Sequence, residues 1–153
     1  MASPETFVTT SEQETFALAE KLVRTLQPGT FVLLHGDLGA GKTAFVRGLA
    51  SGLGLDPAEV SSPTFVLIQH YRGAVPLTHV DLYRLDNAAA VDDLGLEELA
   101  AGGVLAVEWA ERLPRAIDGS VSVHIEDAGG NTRYIQIKGS DPFIRCGSLG
   151  PLS

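Results

Sequence analysis

Apolar residues recur along this chain in two patterns, one typical of helices and one typical of strands. Between Ser11 and Leu26 they recur at helical spacing, and Pro28-Gly29 ends the pattern, which predicts an amphipathic helix. The residues Ser11-Glu-Gln-Glu14 that open it match the capping box S-x-x-E. Further along, a second helix is predicted by a stripe formed by Phe45, Leu49 and Leu53.

Short apolar or alternating runs predict the strands. The run at 30–35 is nearly unbroken in apolar residues, which is typical of a strand buried on both faces of a parallel sheet. Residues 121–125 and 133–138 alternate and flank Gly129-Gly130-Asn131, so they predict an antiparallel hairpin. Residues 87–101 are rich in alanine and acids and are predicted to be helical in part. The remaining predicted strands are 6–10, 65–71, 75–81 and 103–108.

A glycine-rich stretch lies between the strand predicted at 30–35 and the helix that follows it. It reads G-x-x-x-x-G-K-T, the phosphate-binding loop of P-loop nucleotidases, in which glycines let several N–H groups point into one concavity. We expect Lys42 to reach the β- and γ-phosphates and the Thr43 hydroxyl to bind Mg²⁺. The nucleotide-binding residues predicted here are Gly36, Asp37, Leu38, Gly39, Ala40, Gly41, Lys42 and Thr43.

This loop and its flanking elements predict an α/β protein with a P-loop NTPase-like three-layer fold. The central sheet is expected to be mainly parallel, with the antiparallel hairpin at its C-terminal end. A single domain is predicted for residues 1–138. Residues 139–153 are rich in Gly, Ser and Pro and are expected to be a loosely ordered tail.

Composition narrows the environment and the partners. The 153 residues are 44% hydrophobic and carry a net charge of -8, so we expect a real core and no strong unaided binding to nucleic acid. Cys146 is the only cysteine, which favours a reducing compartment. We see no signal peptide and no apolar run long enough to span a membrane, so we expect a cytoplasmic protein with no membrane partner.

Two acids, Asp81 and Glu108, end predicted buried strands. A P-loop enzyme needs an acid at such a position to hold Mg²⁺ or its water shell, and which of the two does so is left open by the residues alone. Together with Lys42 they are the candidate catalytic residues. His79 lies two positions before Asp81 and faces the same side of its strand, but no further His or Cys joins them nearby, which disfavours a zinc site.

Two further residues have both a structural and a functional interpretation. Thr64 follows Pro63 in a turn, where its hydroxyl could satisfy its own backbone or sense a γ-phosphate. Trp109 follows Glu108 and could be a core residue or an aromatic that docks a partner. The chain has no guanine-reading N-K-x-D run, which weighs against GTP.

The order and spacing of five short motifs resemble the TsaE family, also called YjeE, whose members are bacterial ATPases of tRNA threonylcarbamoyladenosine biosynthesis. The resemblance runs from about residue 11 to residue 112, and Ala110 departs from it because the family often has Pro after E-W. The motifs are His35-Gly-Asp-Leu-Gly-Ala-Gly-Lys-Thr43, Ser62-Pro-Thr-Phe65, His79-Val-Asp-Leu-Tyr-Arg84, Leu94-Gly-Leu-Glu-Glu98 and Val107-Glu-Trp109.

The resemblance implies ATP and Mg²⁺ as cofactors, and a TsaD-like transferase and a TsaB-like subunit as partners, with tRNA contacted indirectly through that complex. The modified adenosine lies next to the anticodon of tRNAs that read codons beginning with A. By this resemblance, Lys42 and Thr43 are expected to contact the nucleotide and Mg²⁺, and Glu108 is expected to lie on the metal side. Thr64 matches the family's switch-like loop, Asp81 its conserved acid and Trp109 the aromatic that neighbours Glu108.

A small-molecule P-loop kinase is the alternative function. Such kinases usually close an arginine-rich lid over the phosphates. This short chain has no arginine-dense insert, which favours the ATPase.

Overall fold

The computed structural model describes residues 5–36, 41–60, 68–82, 88–92, 94–113, 117 and 119–139. The strands are β1 (Glu5–Thr9), β2 (Thr30–Gly36), β3 (Ile68–Tyr71), β4 (Leu77–Asp81), β5 (Val104–Glu108), β6 (Val121–Asp127) and β7 (Arg133–Lys138). The helices are α1 (Glu12–Val23), α2 (Lys42–Gly52), α3 (Ala88–Asp92) and α4 (Leu96–Ala100). Single 3₁₀ turns cover Pro57–Glu59 and Ala110–Arg112.

The described strands form one seven-stranded sheet in the order β1-β7-β6-β2-β5-β4-β3. Its centre is parallel, because β2 pairs in parallel with both β5 and β6, and β5 with β4. Antiparallel strands complete both edges. The predicted parallel centre and the predicted C-terminal hairpin are therefore confirmed. Since parallel strands end at the same edge of a sheet, the ends of β2, β4, β5 and β6 lie side by side, as they do wherever open α/β sheets bind ligands.

Helices cover the sheet on both faces, which confirms the predicted three layers. Alternation along β2 divides its side chains: Val32 and Leu34 pack in the core with α1 and α2, whereas Phe31 and Leu33 pack in the core beneath α3 and α4. The near-continuous apolar sequence of β2 follows from this burial on both sides.

Glycine allows α1 and α2 to approach closely. A Cβ placed on Gly48 of α2 would overlap the carbonyl oxygen of Phe16 and the side chain of Ala19, both on α1. At the start of α1 the Ser11 hydroxyl accepts a hydrogen bond from the Glu14 N–H at 3.1 Å, and Glu14 Oε1 accepts one from the Thr10 N–H at 2.7 Å. The predicted cap at Ser11 is confirmed. The Glu14 side chain accepts its hydrogen bond from Thr10, the residue before the cap, rather than from Ser11 itself.

Other predicted elements differ in detail. The segment 87–101, predicted to be helical in part, contains two five-residue helices, and Gly95 before the second has a left-handed backbone with φ of 65°. The apolar stripe predicted for α1 included Phe16, which is only half-buried, and omitted Leu18, which is fully buried. The first residues of the strand predicted at 65–71 and the tail after Gly139 lie outside the described residues. The domain limit at residue 138 therefore remains a prediction.

Candidate active site

The predicted phosphate loop connects the end of β2 to the start of α2. Gly36 has φ of 152° and Gly41 has φ of 100°, backbone conformations that side chains strongly disfavour. A Cβ on Gly36 would also meet the carbonyl oxygen of Ile125 on β6 at a distance that real Cβ atoms essentially never show. Both positions therefore require glycine. The predicted loop residues Asp37, Leu38, Gly39 and Ala40 lie outside the described residues.

Lys42 is the first residue of α2, and its side chain turns back toward the sheet. Only 7% of the residue is exposed. Its Nζ donates a hydrogen bond to the Gly36 carbonyl oxygen at 3.0 Å and lies 3.7 Å from Glu108 Oε1. Thr43, the next residue of α2, is half-buried. The ammonium group is thus held at the base of the phosphate loop, between the ends of β2 and β5.

Glu108 ends β5 and is almost fully buried. Its Oε2 accepts a hydrogen bond from His79 Nε2 at 2.6 Å, while its Oε1 faces Lys42. Burial opposes ionisation of this carboxylate, but the hydrogen bond from His79 and the attraction of His79 and Lys42 outweigh burial, and the pKa of Glu108 lies below its ordinary value. Glu108 is therefore ionised at neutral pH, as a ligand of a metal or its waters must be.

Asp81 ends β4 beside Glu108. The two residues are register partners in the parallel pairing of β4 with β5. The alternation of β4 places Asp81 on the same face as Leu77 and His79, the face covered by α2. The structure therefore brings the three predicted catalytic residues, Lys42, Asp81 and Glu108, to one edge of the sheet.

Trp109 follows Glu108 where the chain leaves β5. It is the one described non-glycine residue with a positive φ, 60°, a conformation that is uncommon for large side chains and that concentrates at functional sites. Its half-buried ring packs against the core beneath α3 and α4 and lies 5.7 Å from Lys42 Nζ, within cation–π range. Thr64, the predicted switch residue, lies outside the described residues.

Two site residues were missed by the sequence interpretation. The sequence pattern suggests only a metal ligand for His79. In the structure its side chain is hydrogen-bonded to Glu108 on the neighbouring strand. The available signal was its position two residues before Asp81 on a buried strand. Arg133 begins β7, and its Nε lies 3.8 Å from where a Cβ on Gly41 would be, so the hairpin backs the phosphate loop. No local pattern identified Arg133, because the contact joins segments far apart in sequence.

The donor set suits a nucleotide with Mg²⁺. Protein sites for Mg²⁺ usually provide one or two carboxylates and a hydroxyl, and the phosphates and waters supply the other oxygens. Glu108, Asp81 and Thr43 carry such groups, and Lys42 is a cation of the kind that binds phosphate. Among the described residues, no three His, Cys, Asp or Glu side chains come together as an all-protein metal cage.

In the described segments, no helix is both long enough and apolar enough to cross a lipid bilayer.

Comparisons with known proteins point in one direction. The model of the family "Threonylcarbamoyl adenosine biosynthesis protein TsaE" matches residues 9–135. A protein from Bacillus subtilis named tRNA threonylcarbamoyladenosine biosynthesis protein TsaE is 42% identical over 133 residues, which are 83% of this chain and 80% of that protein. A Synechocystis protein of the same name is 49% identical over 102 residues, 63% of this chain and 64% of that protein. The crystal structure of Bacillus subtilis YdiB superposes with a TM-score of 0.68 at 34% identity, covering 90% of this chain and 86% of that one.

Proposed function

The chain belongs to the TsaE family, and from that membership we propose that it is a Mg²⁺-dependent ATPase of tRNA threonylcarbamoyladenosine biosynthesis. In this proposal it binds and hydrolyses ATP to support a TsaD-like transferase and a TsaB-like subunit. That complex modifies the adenosine beside the anticodon of tRNAs whose codons begin with A. The site of action is the cytoplasm, where tRNA and ATP meet.

The proposal rests above all on the ion pair between Lys42 and Glu108. A buried cation and an ionised carboxylate, 3.7 Å apart, stand at the carboxyl ends of β2 and β5, where the phosphate loop leaves the sheet. A pair of charges with so little exposed surface is expensive to keep for stability alone, since apolar residues of similar size are often as stabilising. Binding of phosphate and Mg²⁺ gives both charges a function.

The roles follow from the chemistry of each side chain. Lys42 binds the β- and γ-phosphates and stabilises charge that develops during transfer, while the N-terminus of α2 adds its backbone N–H groups. Thr43 and Glu108 hold the Mg²⁺ side of the nucleotide. Asp81 positions or activates the attacking water or holds an outer water of the metal. When bound, Mg²⁺ would neutralise phosphate charge and orient the phosphates.

Two further residues link the nucleotide to partners in this proposal. Thr64 senses the γ-phosphate as part of a switch-like loop, and Trp109 transmits the nucleotide state to a partner surface. The ring of Trp109 is suited to this because it touches the core on one side and approaches Lys42 on the other.

The proposal is tested by measuring ATP turnover with water as the sole acceptor. The wild-type protein is expected to release phosphate slowly, and Lys42→Ala to lose turnover while its circular dichroism still shows a folded protein. The thermal transition of this variant is expected to fall, because the buried Glu108 carboxylate loses its partner. The lysine supplies charge to the phosphates and contributes little to the apolar core. Turnover that persists in folded Lys42→Ala, or that requires an added hydroxyl acceptor in the wild type, would contradict the ATPase assignment. The second result would favour the kinase.

A further inference from the structure

His79 is a polar side chain in a position otherwise suited to an apolar one. It lies in the middle of β4, has no exposed surface and neighbours Leu77 on the same face. Its Nδ1 is buried and has no hydrogen-bond partner among the described residues. Leaving a buried nitrogen without a partner costs free energy that an aliphatic residue would avoid. The reason for an imidazole at this position must therefore lie in the contact that its other nitrogen, Nε2, makes with Glu108.

That nitrogen, Nε2, lies 2.6 Å from Glu108 Oε2. An ionised carboxylate can only accept hydrogen bonds, so the proton belongs on Nε2 and His79 is the donor. A hydrogen bond to a charged acceptor is among the strong ones in proteins. It also acts on the orientation of the carboxylate, because the imidazole is fully buried on a strand that is paired on both sides and has little freedom to move.

The two oxygens of Glu108 are consequently assigned to different neighbours. Oε2 is bonded to His79, and Oε1 is turned toward Lys42, 3.7 Å away at the phosphate loop. A carboxylate without the first contact could rotate about its terminal torsion, which is a broad and weakly restrained one. The contact with His79 removes that freedom.

From this arrangement we infer that His79 is a positioning residue, which anchors Glu108 through Oε2 and keeps Oε1 directed at the nucleotide and Mg²⁺. The inference deepens the proposed function and rests on it. His79 itself touches neither substrate nor metal. It belongs to the groups that orient a carboxylate on the metal side. Loss of such an orienting group commonly lowers metal affinity or activity about 10–100-fold.

The test compares two variants of His79. His79→Leu fills the space but has no hydrogen-bond donor. His79→Gln keeps a side-chain N–H that is separated from Cα by the same number of bonds as Nε2 of the histidine. His70→Leu is the control, since His70 on β3 also bonds one side chain, Thr78, but is exposed and lies outside the site. For each protein, ATP binding is measured by calorimetry with EDTA and over a series of Mg²⁺ concentrations, and thermal unfolding is measured alongside.

His79→Leu is expected to raise the Mg²⁺ concentration for half-maximal ATP binding by about tenfold or more, with affinity in EDTA nearly unchanged. His79→Gln is expected to recover most of the loss, and His70→Leu to match the wild type. A purely structural histidine would lower thermal stability without this selective effect on Mg²⁺. If folded His79→Leu keeps the wild-type Mg²⁺ dependence, the inference is wrong. If the wild type binds no ATP at any Mg²⁺ concentration, the proposed function itself fails.

Because the leucine variant could fail to fold, nuclear magnetic resonance of the wild type gives a second measurement. The chain has four histidines, so the imidazole signals can be assigned with single variants of the other three. The Nε2–H of His79 is expected to exchange slowly with water, both alone and with MgADP bound. Loss of that protected signal when MgADP binds would show that His79 releases Glu108, which contradicts anchoring.

Discussion

Single side chains at the end of β5 show how charge is arranged around the candidate site. Glu108 is ionised despite its burial, because it receives a hydrogen bond from His79 and faces Lys42. Asp81, its register partner on β4, is only half-buried. Two neighbouring acids in such different environments are suited to different tasks.

The roles of the two acids can be separated by their response to Mg²⁺. Glu108→Gln is expected to raise the Mg²⁺ needed for half-maximal ATPase activity, because it weakens a metal-side oxygen ligand. Asp81→Asn is expected to lower kcat at saturating ATP and Mg²⁺ with nucleotide binding nearly intact, because it weakens the positioning of water. Mg²⁺ titration of both variants measures this. Rescue of Asp81→Asn, and not Glu108→Gln, by excess Mg²⁺ would reverse the assignment.

His35 on β2 and His124 on β6 stack their rings, with the ring centroids 4.3 Å apart. Burial lowers the pKa of His35 and His124 lowers it further; Glu111 has a smaller raising effect, and Lys42 adds the smallest lowering effect. With its pKa lowered in the folded state, His35 binds protons better when unfolded. Stability is therefore full above the ordinary histidine pKa and falls as pH drops from that value through the lowered pKa.

We expect the melting temperature of the wild type to decline as pH falls through the ordinary histidine range. His35→Phe keeps an aromatic ring on His124 and cannot be protonated, so its decline should be smaller. Differential scanning calorimetry across that pH range measures both. Parallel declines in the two proteins would show that His35 does not contribute to the acid sensitivity.

The helix pair α1–α2 and the β6–β7 hairpin flank the phosphate loop. The α1–α2 pair closes one face of β2, and Gly48 allows the two helices to touch. From the other direction, the β6–β7 hairpin brings Arg133 against Gly41, where its Nη1 is also tied to the Gly130 and Thr132 carbonyls at 2.9 Å. The helix pair thus positions α2, which follows the loop, and the hairpin contacts Gly41 at the end of the loop.

Gly48→Ala tests the helix contact. Alanine improves helix propensity by about 1 kcal/mol over glycine. Its Cβ, however, would overlap a backbone carbonyl of α1, which cannot rotate away as a side chain can. Overpacking costs typically about 1–3 kcal/mol, so we expect a net loss of stability in urea denaturation. Gln13→Ala, on the exposed side of α1, is the control and should change stability by less than about 0.5 kcal/mol. A stabilised Gly48→Ala would contradict close helix packing.

Two features of the whole molecule affect how it can bind partners. One is its acidic charge, and the other is the layer of short helices, α3 and α4, near Trp109. A net charge of -8 disfavours direct contact with a tRNA backbone. The proposed route to tRNA therefore runs through partner proteins. Trp109, at φ of 60° and half-buried, lies next to Lys42 of the candidate site and packs against the core beneath that layer.

Adding a TsaD-like and TsaB-like pair is expected to change ATP turnover or nucleotide affinity of the protein. A residue supplied by a partner can be worth about 10³–10⁵ in rate, as arginine fingers are. Trp109→Ala should reduce this response more than it reduces ATP binding by the isolated protein. Turnover assays with and without the pair, beside thermal melting, measure both effects. A large loss of stability with an unchanged partner response would make Trp109 a core residue.

Local pattern determined much of this protein. The G-x-x-x-x-G-K-T run between a strand and a helix predicted the phosphate loop, and alternation predicted the β6–β7 hairpin. Both features depend on residues close in sequence, whose chemistry and spacing can be read directly. The same is true of His79 and Asp81, which share a face because they are two positions apart on a strand.

Only the tertiary structure decided which of these residues meet. The bond between His79 and Glu108 joins residues 29 positions apart, and it exists because β4 and β5 pair in parallel in one particular register. A shift of that register by one residue would turn the side chains of one strand to the other face. The contact of Arg133 with Gly41 likewise requires β6 to lie beside β2. Such pairings depend on the packing of the whole sheet, which no short stretch of sequence specifies.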